Sequence, residues 1–304
     1  MRSALSTEQW RDSLVEAGML IPTGVGGLFG HSQRYESIVS GLASMVHRLG
    51  AGQGATVLNF PPVVPRQVFE RTGFLESFTN LVGAVRCFSG SGEDHARFMK
   101  ALSAGEDWSA HFGPADLAVA SAACHPVYPL CGGGELPPGG RRFEVSSYCF
   151  RHEPSVGVAR MQAFRMHEHV YVGEAAAALR FRDDWLAAAS GALRDLGLDV
   201  AAEPANDPFF GRGAGLLAEL QREEERKIEL VVALPGDAAP TAVASGNWHQ
   251  DHFGVSFEIK SAGGEVAHSA CMAFGLDRLT LALLAAHGLD TDRWPVSVRS
   301  RLWA

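Results

Sequence analysis

Residues 143–173 read FEVSSYCFRHEPSVGVARMQAFRMHEHVYVG. Two runs rich in aromatic and β-branched residues, FEVSSYCFRHE (143–153) and ARMQAFRMHEHVYVG (159–173), flank the short loop PSVGV. That pattern predicts a long antiparallel hairpin. Side chains two apart on a strand share a face. Cys149, Arg151 and Glu153 therefore fall on one face of the first strand, and Arg160, Phe164 and Glu168 on one face of the second. If those faces coincide, one surface carries arginines, carboxylates and a phenyl ring. A guanidinium fork matches phosphate, a ring stacks on a base, and a carboxylate accepts from an exocyclic amine. A solvated face of ion pairs has the same composition, and the residues alone leave both readings open.

Working outward, residues 7–17 and 34–48 read as helices, the second with Tyr35, Ile38, Val39, Leu42, Met45, Val46 and Leu49 at three- and four-residue steps. Between them lies IPTGVGGLFG, whose glycines match neither GxGxxG nor GxxxxGK[ST]. VLNFPPVVPR is extended, HARFMKALSAGEDW helical, and LAVASAACHPVYPLCGGG a buried strand ending in a turn. Beyond the hairpin, residues 174–198 form an alanine-rich helix and 214–226 another. KIELVVAL (227–234), HFGVSFEIK (252–260) and AHSACMAFG (267–275) read as strands, the last running into the helix LDRLTLALLAAHGL. There is no regular βαβ alternation, so the expected fold class is α+β, one antiparallel sheet flanked by helices. Residues 1–50 read as a small helical segment packed on a core formed by 51–304.

The chain has 304 residues, with 26 Lys+Arg against 34 Asp+Glu and a net charge of -8. That is enough for a sizeable core, and the acidic balance argues against gripping long nucleic acid. No apolar run is long enough to span a membrane, acidic residues interrupt the first segment where a secretory core would lie, and five scattered cysteines suit a reducing cytoplasm better than a disulfide framework.

The row Phe150-Arg151-His152-Glu153, loop, Arg160, Phe164, Glu168 resembles motif 2 of the class II aminoacyl-tRNA synthetases, and Gly275-Leu276-Asp277-Arg278-Leu279 resembles their motif 3, with Ala273 where many members carry another glycine. Motif 1 is sought within VFERTGFLESFTNLVGAV, where Thr79-Asn80 lacks the expected proline. That motif supports the dimer in the class, so a homodimer is implied, less securely than the active site. ACHPVYP, RMQAFRMHEHVYVGE, AHSACMAFGLDRL, NDPFFGR (206–212) and NWHQDHFG (247–254) together are similar to the amino acid:[carrier protein] ligases, relatives of the methanogen-type seryl-tRNA synthetases. The likeness covers roughly residues 20 to 290.

The resemblance implies ATP-dependent activation of a small amino acid, glycine or alanine, to an aminoacyl-adenylate. Transfer to the phosphopantetheine thiol of a holo carrier protein would follow. By motif, Arg151 would neutralise the α-phosphate, Arg278 would hold the γ-phosphate, and Glu153, Arg160 and Phe164 would complete the ATP site. Glu258 would hold Mg²⁺, which needs only one or two carboxylates beside phosphate oxygens; a surface glutamate is the plainer reading. Zn²⁺ would be held by Cys124, Glu168 and Cys271, a donor set that leaves one position open for the substrate's unprotonated amino group. Spacing alone would not join three residues so far apart, and a lone cysteine is usually just packed. Cys87, Cys131 and Cys149 read as structural. Among twelve histidines none forms HxxxH on a clear helix, and His167 and His169 should point away from Glu168; most read as packing residues or partners of the site. A tRNA-binding appendage and a basic stripe are not seen, so no tRNA is expected. The alternatives are a synthetase core working with a tRNA-binding partner, and an inactive regulatory paralogue.

Overall fold

A computed structural model describes residues 5–211 and 214–303; Arg212, closing the NDPFFGR stretch, lies outside them. The main sheet has seven strands: β1 (Thr56–Asn59), β2 (Arg141–Phe150), β3 (Ala163–Gly173), β4 (Ala201–Pro204), β5 (Lys227–Val232), β6 (Thr241–Gln250) and β7 (His268–Gly275). Their order is β1-β2-β3-β7-β6-β5-β4. Only β1 and β2 run parallel; the other neighbours are antiparallel. The fold is α+β, as the pattern predicts.

Helices α1 (Thr7–Glu16), α2 (Gln33–Leu49), α3 (Ala175–Asp195) and α4 (Leu276–His287) supply the main core with Leu14, Ile38, Leu42, Trp185 and Leu279. α1 starts on a Ser6–Gln9 capping box and α2 on Ser32, each cap satisfying orphan N–H groups. Residues from both 1–50 and 51–304 share this one core.

β7 shows how one strand serves two faces. Ala270, Met272 and Phe274 join the helical core, while Cys271 belongs to a second cluster on the other face with Cys124, Val145, Val170 and Phe253. Residues that must fit between layers on both sides have to be small, which accounts for the serine, alanine and glycine of this strand. At Gly246 on β6 an added Cβ would lie 2.7 Å from Cγ of Leu186, so α3 can lie this close to the sheet only over a glycine.

Several expectations need correction. The hairpin strands end at Phe150 and resume at Ala163, so residues 151–162, including Arg151, Glu153 and Arg160, form the connection and are not strand residues. The connection is pinned by Gln162, whose Nε2 donates to the Gly26 carbonyl (2.7 Å) in the glycine-rich loop. Residues 252–260 are not a strand: His252–Ser256 is a short helix, and Glu258 follows in the left-handed region (φ 54°). Its alternation is a chance match, because Phe253, Phe257 and Ile259 bury by packing a turn against the second cluster. Cys124 precedes a 3-10 helix, His125–Cys131, and the strand before it is Gly113–Val119. Residues 68–85 are broken into short helices and the strand Ala84–Cys87. Strand β6, from TAVASGNWHQ, was not expected.

Candidate active site

A cavity of about 460 Å³ opens on the face of the sheet opposite the helical core. Cys124, Arg151, Glu153, Phe164, Glu168, Cys271 and Arg278 all line it. Arg160 stands at its edge, exposed, with Nη1 3.1 Å from Glu153 Oε1. Glu258 does not line it: its side chain is 86% exposed and pairs with Arg71 at 3.4 Å. The left-handed residue after a short helix turns that carboxylate to solvent, so the sequence-based role for Glu258 is withdrawn.

Phe164 and Glu168 are four apart on β3 and face the same side, while Cys271 comes from neighbouring β7 and Cys124 from the start of the 3-10 helix. The three potential ligand atoms of Cys124, Glu168 and Cys271 lie within 4.8 Å of one another, and all three residues are buried. The backbone N–H groups of Ala123 and Cys124 donate to Glu168 Oε1 (2.8 and 3.3 Å), which aims the carboxylate. Burial pushes the Glu168 carboxyl up, and the hydrogen bond with Cys271, then burial, pushes the Cys124 thiol up. Burial and mutual proximity disfavour the charged forms of Cys124 and Glu168. A divalent cation reverses that penalty, and two thiolates with one carboxylate form a zinc donor set with one position free. The residues fit the metal.

Asn247 Nδ2 donates to Cys271 Sγ (3.4 Å), and His249 Nε2 lies 3.6 Å from the same sulfur with Nδ1 3.0 Å from Ser269 Oγ. Burial lowers the pKa of His249 and of His125 to about 3, so both rings are neutral. Neither Asn247 nor His249 was found from sequence; both sit on β6, whose small-residue start hides its strand character.

At the other end of the cavity, Arg278 lies in the first turn of α4. Its Nε donates to the Ala159 carbonyl (2.8 Å) and Nη1 to that of Ala242 (3.0 Å). Arg151 Nε donates to the Ser121 carbonyl (3.2 Å), and its guanidinium lies over the Phe164 ring, 5.4 Å from the centroid. Among the described residues neither arginine forms an ion pair. Burial, with Arg151 next in effect, lowers the Arg278 pKa. Two uncompensated guanidiniums beside a helix N-terminus make an anion site. Three polar residues missed by the sequence reading face it: Lys227 reaches Asp207 (2.6 Å) and Glu229 (3.0 Å), and all three line the cavity.

Beside these groups lies a brace. Arg165 and Asp277, neighbours in sequence of the cavity-lining Phe164 and Arg278, form a buried pair (Nη2 to Oδ1, 2.6 Å), and the Arg165 backbone N–H donates to Oδ2 (2.6 Å). Arg165 also reaches Glu36 of α2.

The mostly antiparallel sheet flanked by helices has the fold of the class II aminoacyl-tRNA synthetases. The structure of M. kandleri SerRS in complex with A. aeolicus tRNASec superposes with a TM-score of 0.82 at 22% identity, over 99% of this chain and 60% of that one. The chain thus spans well under two thirds of that synthetase. In sequence it is 42% identical over 282 residues to amino acid–[acyl-carrier-protein] ligase 1 of Bradyrhizobium diazoefficiens, covering 92% of this chain and 86% of that protein. The chain belongs to the amino acid–[acyl-carrier-protein] ligases. The type-2 serine–tRNA ligase of Methanopyrus kandleri is more distant, 28% identical over 196 residues, 60% of this chain and 37% of that protein. No family model matches the chain.

Proposed function

We propose that this enzyme activates a small amino acid with ATP and transfers the aminoacyl group to the phosphopantetheine thiol of a carrier protein. The observation that carries the reading is that one cavity is lined both by a thiol–carboxylate metal set and by two arginines without ion-pair partners among the described residues.

The substrate carboxylate attacks the α-phosphorus of ATP; a C–O–P bond forms and pyrophosphate leaves. Arg151 offsets charge on the α-phosphate and Arg278 holds the γ-phosphate, while Phe164 stacks on the adenine and Glu153, steadied by Arg160, accepts from its amino group. Such catalysis is positioning and electrostatics, with no side-chain nucleophile. Cys124, Glu168 and Cys271 would hold Zn²⁺, which would supply a Lewis acid for the free amino group. His125, His249 and Phe253 wall the cavity beside the cysteines, which supports a small substrate such as glycine or alanine. For Mg²⁺ we assign Glu229, which faces the cavity near Arg278. In the second step the pantetheine sulfur attacks the adenylate carbonyl, the C–S bond forms and AMP leaves.

The acidic net charge supports a protein-borne acceptor over tRNA. The edge strand β1, with Val57 half exposed, supports a homodimer. No helix among the described residues is long and apolar enough to cross a membrane; five free cysteines support a reducing, cytoplasmic setting.

The test is mass spectrometry of holo carrier protein, apo carrier protein and total tRNA after incubation with ATP and each amino acid. Loaded holo carrier with unmodified apo carrier and tRNA is expected. Aminoacyl-tRNA with an unmodified holo carrier would overturn the reading. Cys271→Ala should lose both zinc and amino-acid-dependent pyrophosphate exchange.

A further inference from the structure

On the reverse face of β3 from Glu168 stand His167 and His169. Glu144 of β2 lies directly across from His169 in the ladder. One ligand atom from each of Glu144, His167 and His169 falls within 4.8 Å of the others, and all three residues are buried. His167 Nε2 is 2.9 Å from Glu144 Oε1. His47, near the end of α2, brings Nδ1 to 2.9 and 3.0 Å from the two Glu144 oxygens. These bonds account for the carboxylate and for Nε2 of His167, and leave one nitrogen of each buried ring unmet. His167 Nδ1 and His169 Nε2 are buried with no hydrogen-bond partner among the described residues. Unpartnered buried nitrogens are rare in folded proteins, and two in one cluster point to a ligand they are built to meet.

We propose that Glu144, His167 and His169 bind a second divalent transition-metal ion, with His47 over the solvent side. Two imidazoles and a carboxylate suit Zn²⁺, Co²⁺, Ni²⁺ or Cu²⁺ and not Mg²⁺ or Ca²⁺. Donors around one ion stand at most about twice a bond length apart, roughly 4.2 Å, so the cluster needs only a small contraction. The surroundings match a ligand set. The Val46 carbonyl lies near the His169 ring, where the orienting partner of a ligating histidine stands. His169 is also held by stacking on Trp185 (4.1 Å between centroids). At Gly50 an added Cβ would lie 2.3 Å from His169 Cε1, so only glycine lets the end of α2 close over the ring. The His47 side chain is 59% exposed and gives the ion a way in. An ion here ties α2 to β2 and β3, directly behind the strand that carries Phe164 and Glu168. Its role is structural and it touches no substrate.

The experiment is a Co²⁺ titration of the chelator-stripped full chain, read by absorption and by bound metal after desalting. Cobalt on cysteine shows near-ultraviolet thiolate-to-cobalt charge transfer; cobalt on nitrogen and oxygen does not. The expected result is one equivalent that adds no charge-transfer intensity, whatever the cysteine set does. His169→Gln and His167→Gln should each lose that equivalent and keep the charge-transfer band, which reports an intact sheet. Glu144→Gln serves where a histidine variant fails to fold. Absence of any equivalent lacking charge transfer in the wild type, or its survival in the histidine variants, overturns the proposal.

Discussion

Asp277→Ala tests the brace that holds the two halves of the cavity in register. The carboxylate is 2% exposed and the Arg165 side chain 10% exposed. Removing it leaves a guanidinium with only Glu36 as counter-ion, itself 43% exposed, and leaves the Arg165 backbone N–H without its acceptor. Breaking a buried pair in this way costs roughly 3–5 kcal/mol. The partial help from Glu36 puts the expectation at the lower end, about 3 kcal/mol. A double-mutant cycle separates the charge from the packing. Arg165→Met alone should cost a similar amount, since it leaves the carboxylate buried. The double variant should cost less than the sum by at least about 1.5 kcal/mol, because removing both partners leaves no uncompensated charge. Urea unfolding monitored by Trp fluorescence gives the free energies. Because Arg165 adjoins Phe164 and Asp277 adjoins Arg278, the ATP Michaelis constant in pyrophosphate exchange should also rise. A loss under about 1 kcal/mol, or additive single variants, refutes the reasoning.

Phe164→Ala should raise the ATP Michaelis constant about tenfold to a hundredfold, since stacking on a base is worth roughly 1–3 kcal/mol; an unchanged constant would make Phe164 a packing residue. Glu229→Ala should raise the Mg²⁺ concentration needed for half-maximal exchange while Glu258→Ala leaves it unchanged, and the reverse pattern would reinstate Glu258. Asp207 is pushed up by burial but pulled below the usual carboxylate range overall by Lys227. Its folded pKa is therefore depressed, so its contribution is present above the unfolded value of about 3.9 and lost as pH falls through the lower folded value. The stability gap between wild type and Asp207→Asn should be flat from neutral pH down to about pH 4 and close in stronger acid; a gap that closes nearer neutrality counts against the pair.

The sequence revealed the parts of the site that lie on regular strands. Phe164 and Glu168 are four apart on a real strand, so period two put them on one face. The strand and helix around Arg278 were legible from a small-residue run leading into an apolar one, while Arg278 itself was singled out by its resemblance to motif 3. Where the backbone leaves regular geometry the reading failed. Alternation in residues 252–260 mimicked a strand, yet burial there comes from a helical turn, and Glu258 went with it. The hairpin connection was drawn too short because Arg151 to Gln162 carries side chains that suit a strand. Lys227, Asp207 and Glu229 escaped notice because they are ordinary half-buried polar residues that meet only when the segment around Asp207 packs beside β5. Cys124, Glu168 and Cys271 came together by resemblance, since no periodicity links residues on three separate elements.

Strand β7 is the last strand of the sheet in sequence, yet it lies between β3 and β6. Until residues 268–275 are made, the β2–β3 hairpin and the β5–β6 pair each present an open edge, and neither has a partner nearby in the chain. Such edges invite pairing with other chains, and closing them by distant contacts is slow. Insertion of β7 is thus the step that joins two half-sheets into one. Cys271 arrives with it, beside Glu168. The thiol–carboxylate set therefore comes together only as the sheet becomes continuous, so its three donors meet at the completion of the fold.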